Sequence, residues 1–206
     1  MTRANLQLTD FEVEGRPRID DLELLSAPLS EVLTSELDGA AAALDLSADD
    51  ILLAALGRAL ERTIGDGVIG VDVACRLATS RPIRLACAAP SQLDVDELLA
   101  DVHHQLYALA DHRVVRGVSS APRTEPTSDV LFTTSEPADR PHLGHVLELR
   151  AVRRTGVVVL DWYFDTRSFE SYTVAELADQ LPLAMIELTS EATPSVHANH
   201  ELALAH

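Results

Sequence analysis

The sequence predicts an α/β domain: a two-layer sandwich in which a mixed, largely antiparallel sheet carries helices on one face. Three observations predict it. Helical and strand patterns alternate along the chain, and no phosphate-binding Gly-rich loop follows any strand. Two strands, 145–152 and 156–164, are joined by a link as short as Arg153–Thr155, which makes them antiparallel neighbours. With 206 residues and 47% hydrophobic content, the chain can bury a substantial core without staples, and one domain is expected.

The elements follow in order. Residues 1–20 are polar, with Pro17 between Arg16 and Arg18, and read as a lead-in strand or arm. Leu22–Ala27 is a strand ended by Pro28. Ser30–Leu44 places Val32, Leu33, Leu37, Ala40, Ala41 and Leu44 at helical spacing, with a Ser-x-x-Leu start rather than a capping box. Ser47 is a good N-cap for a helix over Ala48–Gly65, with Asp49 and Asp50 in the first turn, where the helix dipole favours anions. That helix is apolar on most of its surface and is stopped by Gly65, which marks it as a core helix. Val68–Cys75 and Ile83–Ala88 read as strands. Asp94–Leu109 is helical, with Leu98, Leu99, Val102, Leu106 and Leu109 on one face. Residues 110–128 hold Gly, Ser and Pro and read as a loop. Val130–Thr134, His145–Val152 and Gly156–Phe164 are the remaining strands. Thr173 is expected to cap the last helix, with Glu176 completing a Thr-x-x-Glu capping box. The expected layout is an arm over 1–20, one domain over 21–192 and a frayed tail over 193–206.

Composition excludes several classes of function. All sixteen basic residues are Arg, set against 33 acidic ones, for a net charge of −17. That field repels nucleic acid and anionic lipid surfaces, so neither is an expected partner. The longest apolar runs, such as Ile51–Leu56, are too short to cross a membrane. The N-terminal MTRANLQLTDFEVEG has no apolar h-region, so no secretory signal is expected. Two cysteines, Cys75 and Cys87, exclude a disulfide framework and are read as free thiols in a reducing cytoplasm. The excess of Ala and Arg without Lys hints at an actinobacterial coding bias.

The most informative stretch is 156–191. A β-branched run, Val157-Val158-Val159-Leu160, ends in Asp161-Trp162-Tyr163-Phe164-Asp165. Arg167-Ser168-Phe169 and the helical TVAELADQLPLAMIEL follow. This resembles the closing segment of a condensation domain of non-ribosomal peptide synthetases, where an L-x-L-x-W-x-Y-D strand leads through an Arg-Phe turn into the last helix of the second lobe. The likeness runs from about Asp21 to Ala192. Residues 21–67 look like the entrance to the second lobe, LLADVHHQLYALADHRVVRG like the helix before the family's P-x-x-G-x-x-Y stretch, and SDVLFTTSEPAD like its E-V-L-F-N-Y strand. The resemblance implies a chloramphenicol acetyltransferase-like lobe. The family's active motif, HHxxxDG, belongs to the first lobe and occurs nowhere in these residues. The family's G-W-F-T-x-x-Y-P stretch is compressed here to RLATSRPIRL, which keeps Pro82 and Arg84. Thr133-Thr134 stand in place of Asn-Tyr, and the loop after the third helix is reduced to VSSAPRTEPTS.

Candidate chemistry is sparse. His103 and His104 are the tempting catalytic pair, but they fall inside an amphipathic helix with no Asp-Gly beyond them. Adjacent helical residues diverge by about 100°, so at most one could face a given site, and the pair reads as helix surface. His197, His200, Glu201 and His206 offer metal-ligand types, but in an unanchored tail. Asp161, Asp165 and Arg167 could form a carboxylate site; the preferred reading is that Arg167 and Asp165 fix the strand-to-helix corner. Ser119, Ser120 and Ser135 lie near no G-x-S-x-G elbow. The expectation is a stand-alone, catalytically defective relative of the condensation C-lobe, without cofactor, that binds a condensation-type partner or itself as a homodimer joined chiefly by apolar contacts. The alternative is an acyltransferase whose site is completed by a partner chain or a homo-oligomer. A third possibility is a decayed fragment of a longer synthetase.

Overall fold

Strands β5 (Leu147–Arg154) and β6 (Val157–Asp165) form the hairpin at the centre of the fold. Their link is two residues, Thr155 and Gly156, with φ of 51° and 93°. Positive φ at both positions is the I′ geometry that matches strand twist. The link therefore falls one residue later than the sequence pattern suggests. In the computed structural model, residues 5–75, 79–115, 128–134 and 144–193 are described. The other elements are a 3₁₀ turn (Ile19–Asp21), β1 (Leu22–Pro28), α1 (Glu31–Leu44), α2 (Ala48–Thr63), β2 (Gly67–Cys75), β3 (Thr79–Cys87), α3 (Val95–Val115), β4 (Val130–Thr133) and α4 (Ser171–Glu191). They build one six-stranded sheet in the order β1-β6-β5-β4-β2-β3. The short β4 runs parallel to both neighbours, and the other pairings are antiparallel. The expected mixed sheet is therefore present.

Period-2 alternation decides which side chains face the helices. Val158, Leu160, Trp162 and Phe164 of β6, Leu147 and Leu149 of β5, Phe132 of β4, and Val71 and Leu85 of β2 and β3 join the apolar core. From the helical side come Leu37 of α1, Ile51–Leu56 of α2, Leu98 and Val102 of α3, and Val174, Leu177, Leu181 and Leu188 of α4. Helix α2 is buried along most of its length, as a core helix should be. Gly57 is needed there: a Cβ at this position would lie 2.6 Å from the carbonyl oxygen of Ala86 in β3.

Local signals act as the sequence pattern implies at the starts of α1 and α2. Ser30 Oγ accepts from Leu33 N at 3.1 Å, and Ser47 Oγ accepts from Asp50 N at 3.2 Å. Asp50 returns the bond, accepting from Ser47 N at 2.7 Å, so α2 has a capping box. Two expectations need correction. Helix α4 starts at Ser171 with Glu170 as its N-cap, so Thr173 is already inside the first turn and buried. Glu176 accepts from Gln180 instead of closing a box. The tight turn at Asp165–Ser168 delivers the chain into helical geometry earlier than the cap signal implies. Helix α3 also continues to Val115, beyond its apolar stripe. Among the described residues no helix is long and apolar enough to cross a membrane.

Candidate functional site

The face of the sheet turned away from the helices carries an ordered polar array. Register places Asp72, Leu131, Glu148, Tyr163 and Leu24 in one row across β2, β4, β5, β6 and β1. Ala74, Thr133, Arg150, Asp161 and Ser26 form the next row. Asp72, Glu148, Arg150 and Asp161 are all at most 2% exposed. Ionised groups at that depth have to be paired, and these are. Arg150 Nε donates to Glu148 at 2.6 Å, and its guanidinium lies 4.6 Å from the Tyr163 ring centre. Asp161 accepts from Ser26 Oγ and Arg154, both at 2.6 Å.

Asp72 gathers the entrances of two other strands. It accepts from the Ser128 hydroxyl at 3.1 Å, just before β4, and meets His145 Nε2 at 3.0 Å, just before β5. Gly70 leaves room for this: a Cβ there would come within 2.9 Å of Ser128 Oγ. The order of partners is serine–aspartate–histidine. The hydroxyl therefore bonds the carboxylate and not the imidazole, and this arrangement does not make the histidine a base for the serine. His145 Nδ1 is buried and without a partner. The cluster works as a clasp where β2, β4 and β5 meet.

A second polar site lies at the carboxyl end of β4, the end at which open α/β sheets present their sites. Thr134 Oγ1 donates to Asp49 at 3.1 Å, at the N-terminus of α2. Burial pushes the Asp49 carboxyl up from its ordinary range, with the neighbouring charge of Asp50 adding to that and the Thr134 hydrogen bond opposing it. His103 Nδ1 lies 3.3 Å from Asp50 Oδ2, and its ring stands 6.3 Å from that of Tyr107 one turn on. The His103 side chain is 45% exposed. His104, the other member of the pair, lies exposed on α3. The two thus diverge, as adjacent helical residues must. At the opposite end of α2, Leu8, Thr9, Asp10, Thr63, Ile64, Tyr172, Thr173 and Glu176 line an open pocket of about 330 Å³.

The remaining sequence candidates separate. Arg167 donates to Asp165 through its side chain at 2.9 and 2.8 Å and through its backbone at 3.0 Å, so this pair fixes the corner into α4. Asp161 belongs to the sheet array instead. His197, His200, Glu201, His206, Ser119, Ser120 and Ser135 lie outside the described residues. Among the described residues no group of three or more His, Cys, Asp or Glu is placed to hold a metal ion. Sequence reasoning does not single out Asp72, Ser128 and His145. Asp72 in the apolar β2 pattern, a buried-strand position occupied by a charge, is the available signal.

A two-layer lobe with a mixed sheet and helices on one face is the architecture that the sequence resemblance implies, a chloramphenicol acetyltransferase-like lobe. Solved structures share this fold. The fold matches the epimerization domain from the third module of tyrocidine synthetase B with a TM-score of 0.68 at 16% identity, covering 92% of this chain and 52% of that one. It matches the condensation domain of the Monacolin K polyketide synthase at 0.67 and 11% identity, covering 94% and 54%. The X-domain solved with OxyB from teicoplanin biosynthesis gives 0.62 at 17% identity, covering 93% and 50%. The chain therefore has the condensation-domain fold, and spans about half of each of these proteins. Among curated proteins it is similar to a phenolphthiocerol/phthiocerol polyketide synthase protein of Mycobacterium tuberculosis and of Mycobacterium bovis, 33% identical over 251 residues. The match covers 97% of this chain and only 17% of the mycobacterial protein. An alignment longer than the chain means that the mycobacterial protein carries inserted residues here. No family model matches the chain.

Proposed function

We propose that this chain is a catalytically defective counterpart of the second, C-terminal lobe of a condensation domain, acting as a binding or assembly partner in peptide or polyketide synthesis. The observation that carries this reading is a condensation-type lobe fold without an HHxxxDG motif in the sequence. The compressed stretch after β2 and Thr133-Thr134 at the end of β4 support it, because these are the places where the resemblance puts channel-lining residues. The partner is a second copy or another condensation-type protein, in the cytoplasm. The test is acyl transfer from CoA and carrier thioesters by the purified protein, with the expectation of no turnover above buffer.

One observation favours a second reading. Asp50 engages Nδ1 of His103 and leaves Nε2 on a half-exposed ring, an orientation suited to a base. On this reading the chain is an acyltransferase completed by a partner. Turnover that falls ~10²–10⁴-fold in His103→Ala, the usual cost of losing a general base, would establish it and remove the first.

A further inference from the structure

Residues 11–19, FEVEGRPRI, alternate without a break between apolar or small residues and charged ones. Phe11, Val13, Gly15, Pro17 and Ile19 fall on one side of the period; Glu12, Glu14, Arg16 and Arg18 fall on the other. This is the pattern of a half-buried strand. Yet over these residues the chain forms no strand, and Ile19 opens a single 3₁₀ turn, Ile19–Asp21. Phe11, Val13 and Ile19 are 48%, 38% and 46% exposed, whereas Pro17 is buried, so pairing requires the arm to turn Pro17 outward. None of the four charged side chains has an ion-pair partner among the described residues. A strand-patterned segment has been left without a strand to pair with.

Laid antiparallel against itself about Gly15, the segment is self-complementary. Phe11 stands opposite Ile19, Glu12 opposite Arg18, Val13 opposite Pro17 and Glu14 opposite Arg16. We propose that this arm is the surface through which two copies of the chain meet, pairing about a two-fold axis at Gly15. The proposal rests on the homodimer reading above and moves the contact from an apolar lobe face to the arm.

Backbone chemistry agrees with this register. Pro17 has no N–H, so the Val13–Pro17 pair has to be of the non-hydrogen-bonded kind, and Gly15–Gly15 and Phe11–Ile19 share that class. In such pairs the Cα atoms approach to about 4.5 Å, where apolar side chains pack best. At Gly15 the space around a would-be Cβ is open. The ladder bonds then come from Glu14 and Arg16. Arg18 contributes only its side chain, because its N–H donates to Asp21 at 2.8 Å and its carbonyl accepts from Asp21 N at 3.0 Å. Gly15 sits at φ 81° in the single chain and can move to extended geometry without a Cβ penalty. Electrostatics selects the arm as well. The protein carries −17 overall, whereas these nine residues sum to zero, so within the segment the opposed charges attract, although the same register sets Asp10 opposite Asp20 at each end. An isologous two-fold contact requires this self-complementarity.

The test uses the full chain in three forms. Wild type, E12R/E14R and R16E/R18E are measured by light scattering, alone and as an equimolar mixture of the two variants. Each variant arm carries one sign of charge and should lose self-association by at least ~10-fold in Kd, since like charges directly opposite are destabilising. The mixture should regain twice the 22.3 kDa monomer mass, and this hetero-pairing should weaken with salt. Variants that stay dimeric alone would overturn the arm contact while leaving the dimer reading intact. A wild type that is monomeric up to several hundred micromolar would overturn both.

Discussion

The same substitution, Gly→Ala, should have opposite signs at two helical positions of this protein. In an exposed helix the change stabilises by about 0.5–1 kcal/mol, through helix propensity and a less flexible unfolded chain. Gly39 in α1 meets this condition, with nothing within 4 Å of a built Cβ. Gly57 in α2 gains the same propensity but places its methyl 2.6 Å from the Ala86 carbonyl oxygen and 3.4 Å from Leu85. Ordinary contact needs more than half an ångström of further separation, and the obstacle is strand backbone, so α2 has to lift from β3. Overpacking of this kind costs about 1–3 kcal/mol or more. The net expectation is a loss of about 1–2 kcal/mol for G57A, against a gain below about 1 kcal/mol for G39A. For a chain of this size each kcal/mol moves Tm by roughly 2–4 °C. Urea unfolding followed by circular dichroism measures both, with unchanged m-values showing that the midpoint shift is a change in stability. A G57A protein as stable as wild type would refute the reasoning, because it would mean that the α2–β3 contact yields freely.

Three further outcomes follow from the polar groups. His145→Ala should cost about 2–4 kcal/mol, because it strips a buried partner from Asp72; an unchanged urea midpoint would remove the clasp. Asp49 has a raised pKa, so the fold prefers its neutral form: stability is full below the ordinary carboxylate range near ~4 and declines as pH rises through the raised value. Asp49→Asn should therefore stabilise at pH 7 and bring no gain at pH 3, as read from paired melting curves. For Asp165 burial acts to raise the pKa, but Arg167 and Ser168 hydrogen bonds and the Arg167 charge outweigh it and hold the carboxyl low. Its stabilisation is present above ~4 and is lost as pH falls through the depressed folded value. Asp165→Asn should lower the melting temperature at pH 7, and the difference from wild type should shrink in strong acid; a constant difference would refute it.

Much of this architecture is legible in the chain because local physics writes it there. Ser30 and Ser47 start helices, the short link expected at Arg153–Thr155 marks the hairpin that closes at Thr155-Gly156, and the apolar spacings of α1, α2 and the first part of α3 mark their buried faces. The Asp165–Arg167 corner is readable too, since its partners are two residues apart. The last helix is placed correctly by its sequence but its start is not, because the turn that launches it depends on the Asp165 network rather than on a cap at Thr173. Asp72, Ser128 and His145 are separated by up to 73 residues, and only strand register brings them together. Likewise His103 reads as helix surface in the sequence, and acquires Asp50 only when α3 packs beside α2. Short-range signals set which segments become helix or strand. Which charges share a site is decided by tertiary contacts, since Coulomb and hydrogen-bond partners are chosen by distance in space and not along the chain.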